Sequence, residues 1–343
     1  MIQLDKKDKM ILYNLIHDSR LSLKTIGKKV GISKESTHYR IQRLIQKGVI
    51  KNFTLFLNFH SFGYSPMMTH FKFKNINPSI KKEIIDFFVN SKYTFYVSLL
   101  EGPYDLQVDF LMGDPYSFEA FIDKMREKYH NYLTYLPSKF YMRGEFFPYS
   151  FLIENQRNDN TSLNWEAGQG LIKCDEFDFK ILTELAKNSR VPIKKIANNL
   201  NSTIIKINYR LKKMENFLLP PESTKHTEFT IYTINVDWAK IGYRWFHLQI
   251  TMGDYSKRNL ILKYLRKNPY LIRYFKFINL DMDLHFTFLL QNMEELRAII
   301  EEITIQFPNS INDYQFYSTF NVYKHIFLAP ELLKIKNPYN REI

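Results

Sequence analysis

Apolar positions in the first fifty residues recur at helical intervals. Ile11, Leu12 and Leu15 share one face of a first helix. Asp5 and Asp8 stand at its start, where carboxylates meet unpaired N–H groups and the positive end of the helix dipole. Ser22 is placed to cap a second, short helix with Ile26 and Val30 facing inward. Gly31 supplies a tight turn, and Ser33 caps a third helix whose inner side carries Thr37, Ile41 and Leu44. Gly48 ends that helix, and VIKNFTLFLNF (49–59) alternates as a strand pair would.

Three helices, a glycine turn and a small hairpin predict a winged helix-turn-helix, whose third helix enters the major groove of DNA. The period changes from residue 65. A strand at 65–75 precedes a helix at 79–91. YTFYVSLLEG and YDLQVDFLMG form two strands about a Gly-Pro turn, followed by a helix at 115–130 and a strand in LPSKFYMRGEFF. That βαββαβ order is the ferredoxin-like plan.

Both patterns then recur. Leu4–Val30 aligns without a gap on Cys174–Leu200, and eleven of the forty-one positions from 4 to 44 repeat at this offset, among them Asp5, Asp8, Ser19, Arg20, Tyr39 and Arg40. YRWFHLQITM, KRNLILKYLRKN, YLIRYFKFIN, MDLHFTFLLQ, MEELRAIIEEITIQF and INDYQFYSTFNVYKH repeat the second plan. The expected fold is α+β: two tandem units, each a winged helix-turn-helix followed by a ferredoxin-like βαββαβ domain. The expected boundaries are 1–60 and 63–150, then 173–237 and 241–326. A polar linker at 151–172 separates the units, and a tail at 327–343 has no assigned role.

Composition adds that 45% hydrophobic and 16% aromatic residues are ample for folded cores. No stretch of about eighteen apolar residues and no apolar leader stand in the sequence, so neither a membrane span nor a signal peptide is expected. The single Cys174 leaves no internal disulfide and suits a reducing cytoplasm. The net charge of +13 is concentrated. Residues 20–51 hold nine Lys or Arg against Glu35 alone, and residues 190–221 hold seven against Glu215. Two such blocks at the same place in each repeat are the footprint of a polyanion partner, here double-stranded DNA.

Leu4-Asp5, Asp8, Ile11-Leu12, Ser33, Tyr39-Arg40-Ile41, Leu44 and Gly48-Val49-Ile50, in this order, resemble the Lrp/AsnC ("feast/famine") transcription regulators. As two tandem copies, the resemblance covers nearly the whole chain. It implies DNA-binding dimers whose effector domains pack sheet to sheet, often with an amino acid at the interfaces. One chain with two copies is then expected to be its own pseudo-dimer, with pairing into a larger assembly left open. Two readers at one separation favour half-sites about one helical turn apart. The family's G-x-x-D turn stands as Gly102-Pro103-Tyr104-Asp105, but as Leu280-Asp281-Met282-Asp283 in the second copy. A leucine does not take φ > 0 cheaply, so that loop is expected to be remodelled.

Candidate DNA contacts are Lys34, Ser36, His38, Arg40, Arg43 and Lys47 in the first copy, and Lys206, Arg210, Lys212 and Lys213 in the second. Ser36 and His38 suit base edges. The second copy has Ile204, Ile205 and Lys206 where the first has Lys34, Glu35 and Ser36, so it loses polar readers and keeps cations. Arg40 and Arg210 suit either a phosphate or a brace against a first-helix acid. In the ferredoxin-like halves, strand alternation puts His70, Gln107 and Asp109, with His247, Gln249 and His285, on the face away from the helices. With Gly102, Asp105 and Asp283 these are the candidate effector residues.

No catalytic spacing, metal-ligand spacing or cofactor motif is visible, and the nine histidines are scattered. The expectation is a regulator and not an enzyme. Its rivals are an architectural DNA-binding protein and a siroheme-decarboxylase-like enzyme. The latter enzymes resemble this family in fold and use basic and histidine side chains in the same half.

Overall fold

The computed structural model describes residues 1–153, 162–167, 174–218, 229–278 and 282–326. The first winged helix is built from α1 (Lys6–His17), α2 (Leu23–Val30) and α3 (Lys34–Gln46), followed by β1 (Ile50–Leu55). The expected caps form: Asp5, Ser22 and Ser33 each accept from an N–H three residues on. The second winged helix repeats this as α6 (Glu176–Lys187), α7 (Ile193–Asn199), α8 (Ile204–Leu218) and β8 (Tyr232–Val236). Asn201, where the first copy has Gly31, takes φ 47°, as the turn requires.

The hairpin expected at 49–59 is not made within its own copy. Instead β1 pairs antiparallel with β8, with Thr54 opposite Thr233 near the centre. The strands also exchange cores. Leu55 and Leu57 pack with Ile181, Leu182 and Ile207 of the second winged helix. Ile234, Trp238 and Ile241 pack with Ile11, Leu12 and Leu44 of the first. Alternation recorded a strand's two-sidedness but not its partner.

A reciprocal contact lies beside this ribbon. Ser19 Oγ and Ser189 Oγ are 2.6 Å apart. Arg20 donates to the Ser189 carbonyl at 2.6 Å, and Arg190 to the Ser19 carbonyl at 2.5 Å. The repeated Ser-Arg dipeptide therefore joins the two winged helices about a local two-fold axis, and its arginines are not among the cations offered to solvent.

The ferredoxin-like halves comprise β2 (Ser65–Phe73), α4 (Pro78–Val89), β3 (Thr94–Glu101), β4 (Leu106–Met112), α5 (Pro115–Tyr129), β5 (Leu133–Tyr135) and β6 (Lys139–Phe146), and then β9 (Arg244–Met252), α9 (Arg258–Leu265), β10 (Leu271–Ile278), β11 (Leu284–Leu290), α10 (Met293–Gln306) and β12 (Ile311–His325). Strand order is β5-β2-β4-β3-β12-β9-β11-β10-β6 and then a short β7 (Leu163–Glu166), with an added β2–β6 pairing. The sheet thus closes: each copy's last strand pairs with the second strand of the other, β12 on β3 and β6 on β10. Closure leaves no free edge within the ring.

The helices cover the outside. Ile84, Ile85, Phe88 and Met125 pack on Val97, Val108 and Phe110, while Ile261, Leu265, Ile299 and Ile303 pack on Leu248, Phe286 and Phe288. Part of the expected linker is structured. Phe151 and Leu152 are buried in the first winged helix's core, and β7 (Leu163–Glu166) extends β6. The rest of the linker, residues 219–228 of the second winged helix, Leu280, Asp281 and the tail at 327–343 lie outside the described residues.

Candidate nucleic-acid interface and barrel interior

The third helices decide which cations are available to a partner. Arg40 Nη1 lies 2.7 Å from Asp5 and 2.8 Å from Asp8, and Arg43 lies 2.5 Å from Asp8, which is only 1% exposed. In the second copy Arg210 pairs with Asp175 and, at 3.2 Å, with Asp178. Arg40 and Arg210 thus make the brace against a first-helix acid that the sequence left open beside a phosphate contact, and Arg43 joins Arg40 in it. They hold α3 and α8 against the first helices, because the acids that cap those helices lie within reach. Burial opposes ionisation of Asp5 and Asp175, but the capping N–H and the arginine outweigh it and hold both carboxyls below their ordinary value.

The other candidates remain on the surface. Lys34, His38 and Lys47 are exposed on or just beyond α3, and Ser36 is half-buried. On α8 Lys206, Lys212 and Lys213 are exposed, with the Lys206 ammonium 4.4 Å from the Phe177 ring centroid. Position by position, the outer stripe of α3 is Glu35, His38, Tyr39 and Gln42, and that of α8 is Ile205, Asn208, Tyr209 and Lys212. Tyr39 and Tyr209 are exposed to the same degree, 66% and 68%.

The barrel gathers the strand candidates as alternation predicted. His70, Gln107, Asp109, His247, Gln249 and His285 are all buried inside it. His70 Nε2 meets the Tyr317 hydroxyl at 3.1 Å and stacks on Tyr104. His247 stacks on Tyr317, and its Nε2 lies 3.1 Å from Thr319 Oγ1. Gln107 and the Tyr141 hydroxyl both donate to Asp109 at 2.8 Å. His285 Nε2 is 3.4 Å from His247 Nδ1, while His285 Nδ1 reaches no hydrogen-bond partner among the described residues.

Burial pushes the charged forms out. Asp109 is raised to about 7, His247 is lowered to about 3, and His70 and His285 are also lowered, chiefly by desolvation. A cavity of about 40 Å³ remains among Gln107, Asp109, Tyr141, His247, Arg273 and His285.

Three other effector candidates have structural work. Asp105 accepts from the Phe73 N–H at 2.8 Å, and Asp283 from the Met252 N–H at 2.7 Å, so each ties its turn to the neighbouring strand. Gly102 has φ 134°, and a Cβ there would come within 3.0 Å of the Tyr317 side chain. The turn is therefore glycine for backbone and packing reasons. Tyr104, Tyr141, Tyr317 and Arg273 were not anticipated inside the barrel. The repeated Phe-Tyr at 140–141 and 316–317, in matched strands, was the available signal.

The chain matches the winged helix-turn-helix DNA-binding family at residues 4–51 and again at 175–216. It is 29% identical over 128 residues to an uncharacterized HTH-type transcriptional regulator of Pyrococcus horikoshii, covering 36% of this chain and 84% of that one. It is 28% identical over 122 residues to the HTH-type transcriptional regulator FL11 of Pyrococcus abyssi, covering 36% and 80%. Among solved structures, the siroheme decarboxylase NirDL shares the fold at TM-score 0.60 and 11% identity, over 96% of this chain and 97% of that one. A winged helix-turn-helix match thus stands in each half, and the relatives that the chain resembles are named HTH-type transcriptional regulators.

Proposed function

We propose that the chain is a sequence-specific transcription regulator that engages duplex DNA as its own pseudo-dimer, in the cytoplasm. The first copy supplies most base readout and the second mostly phosphate affinity. The observation that carries this reading is the contrast between two outward helix faces. Ser36, His38 and Gln42 offer hydrogen bonds on α3, flanked by Lys34 and Lys47, whereas α8 offers Lys206, Lys212 and Lys213.

Duplex affinity measured from 50 to 200 mM salt tests it. Each lost phosphate contact reduces the slope of log K against log salt by about 0.9. Replacing all three α8 lysines by alanine should therefore reduce the slope by roughly 2 to 3. Ser36→Ala/His38→Ala should instead leave the slope and cut discrimination between a selected and a random duplex about tenfold or more. Weak binding with no salt dependence in wild type would sink the reading. The same slope with no preferred sequence would indicate an architectural DNA-binding protein.

In this reading a small amino-acid-like effector uses the barrel interior, where His285 and Asp109 line the cavity, and at about 40 Å³ that space takes it only as the barrel opens. A second reading, a siroheme-decarboxylase-like enzyme, is favoured by the fold shared along nearly the whole chain and by the histidines inside the barrel. Against it, a space of about 40 Å³ holds a few waters, and a tetrapyrrole would need the barrel to open widely. Anaerobic incubation with siroheme, followed by product mass, decides between them.

A further inference from the structure

Ile205 is 81% exposed on α8 and Ile204 is 45% exposed, while Tyr209 continues the apolar stripe one turn later. Among the described residues nothing covers this face. The matched residues of α3 are Lys34, Glu35 and Tyr39, so the tyrosine is common to both copies and the two isoleucines belong to the second alone. The surroundings are basic: Lys206, Lys212 and Lys213 on the same helix, and Lys194 and Lys195 on α7, are all exposed. An apolar strip framed by five ammonium groups repels a like-charged second copy and suits an apolar feature set within a polyanion. In duplex DNA that feature is the C5-methyl of thymine, which projects into the major groove.

We propose that α8 reads its half-site through thymine methyl groups, with Ile204 and Ile205 as the specificity-determining residues. Asn208, exposed between Ile205 and Tyr209, is placed to pair with the adenine edge of a neighbouring base pair. The binding site is then two unequal halves in inverted arrangement, one read by hydrogen bonds under α3 and one rich in A·T pairs under α8. This rests on the regulator reading and adds the chemistry of the second helix to it.

The test uses the full chain and a duplex selected from a random pool. Replacing thymine by deoxyuridine deletes the methyl and leaves base pairing intact. In the half under α8, each replacement should weaken wild type about three- to fivefold, from the apolar contact of one methyl group. The Ile204→Ala/Ile205→Ala variant should be insensitive to the same replacements. Ile205→Val, which keeps the branched contact, should restore most of the sensitivity. Deoxyuridine that is neutral at every thymine, or equal losses in wild type and the alanine variant, would overturn the proposal while leaving DNA binding intact. Failure to select any duplex would overturn it together with the regulator reading.

Discussion

Arg40 and Arg210 carry the charge of a phosphate contact and hold the same place in the two copies, yet each is turned onto the acids of its own first helix. The sequence left both roles open, because helical spacing put these arginines at the edge of the exposed face and the acids lie about thirty residues away. Arg40→Ala leaves the buried Asp8 with Arg43 as its remaining cation and should cost about 2 kcal/mol in urea unfolding, against near zero for Lys34→Ala. Inside the barrel, Asp109 titrates near 7, against an ordinary 3.8, because burial disfavours its charge. The native state holds that proton after the unfolded chain has lost it. The stability from this group is therefore complete below about pH 4 and is lost as pH rises through about 7. In melts across that range, Asp109→Asn should remove the decline with pH, and an unchanged profile would mean that the carboxyl ionises freely in the fold.

At the scale of elements, the helices and their caps were legible because Asp5, Ser22, Ser33 and the apolar spacing are local signals. The partner of β1 was not, since the alternation of Val49–Phe59 is equally compatible with a hairpin and with pairing to a strand 180 residues away. The polar groups of the barrel were half legible. Alternation placed His70, Gln107 and His247 on one face, whereas Tyr141 lies opposite Phe277 of the other copy and Tyr317 opposite His247 of its own, in last strands whose register the sequence did not give away. The Ser-Arg exchange beside the β1–β8 ribbon carries its own prediction. Arg20→Ala/Arg190→Ala removes charged donors from carbonyls of the opposite copy, each worth about 1.5–3 kcal/mol. Amide exchange in β1 and β8 should accelerate tenfold or more, while β4 and β11 in the barrel keep their protection.

Over the whole molecule, every contact that closes the barrel is made within one chain. The midpoint of unfolding should therefore not move when the protein is diluted a hundredfold, whereas a fold completed by a second chain would lose stability on dilution. Two separate chains meeting about a two-fold axis carry every substitution twice and present two identical faces. Here α3 and α8 are inherited separately inside one fixed frame. A protein with two unlike faces has a front and a back: laid on a matching site, it points one way along the duplex. Whatever it touches upstream differs from what it touches downstream, so the asymmetry of one polypeptide becomes a direction on DNA.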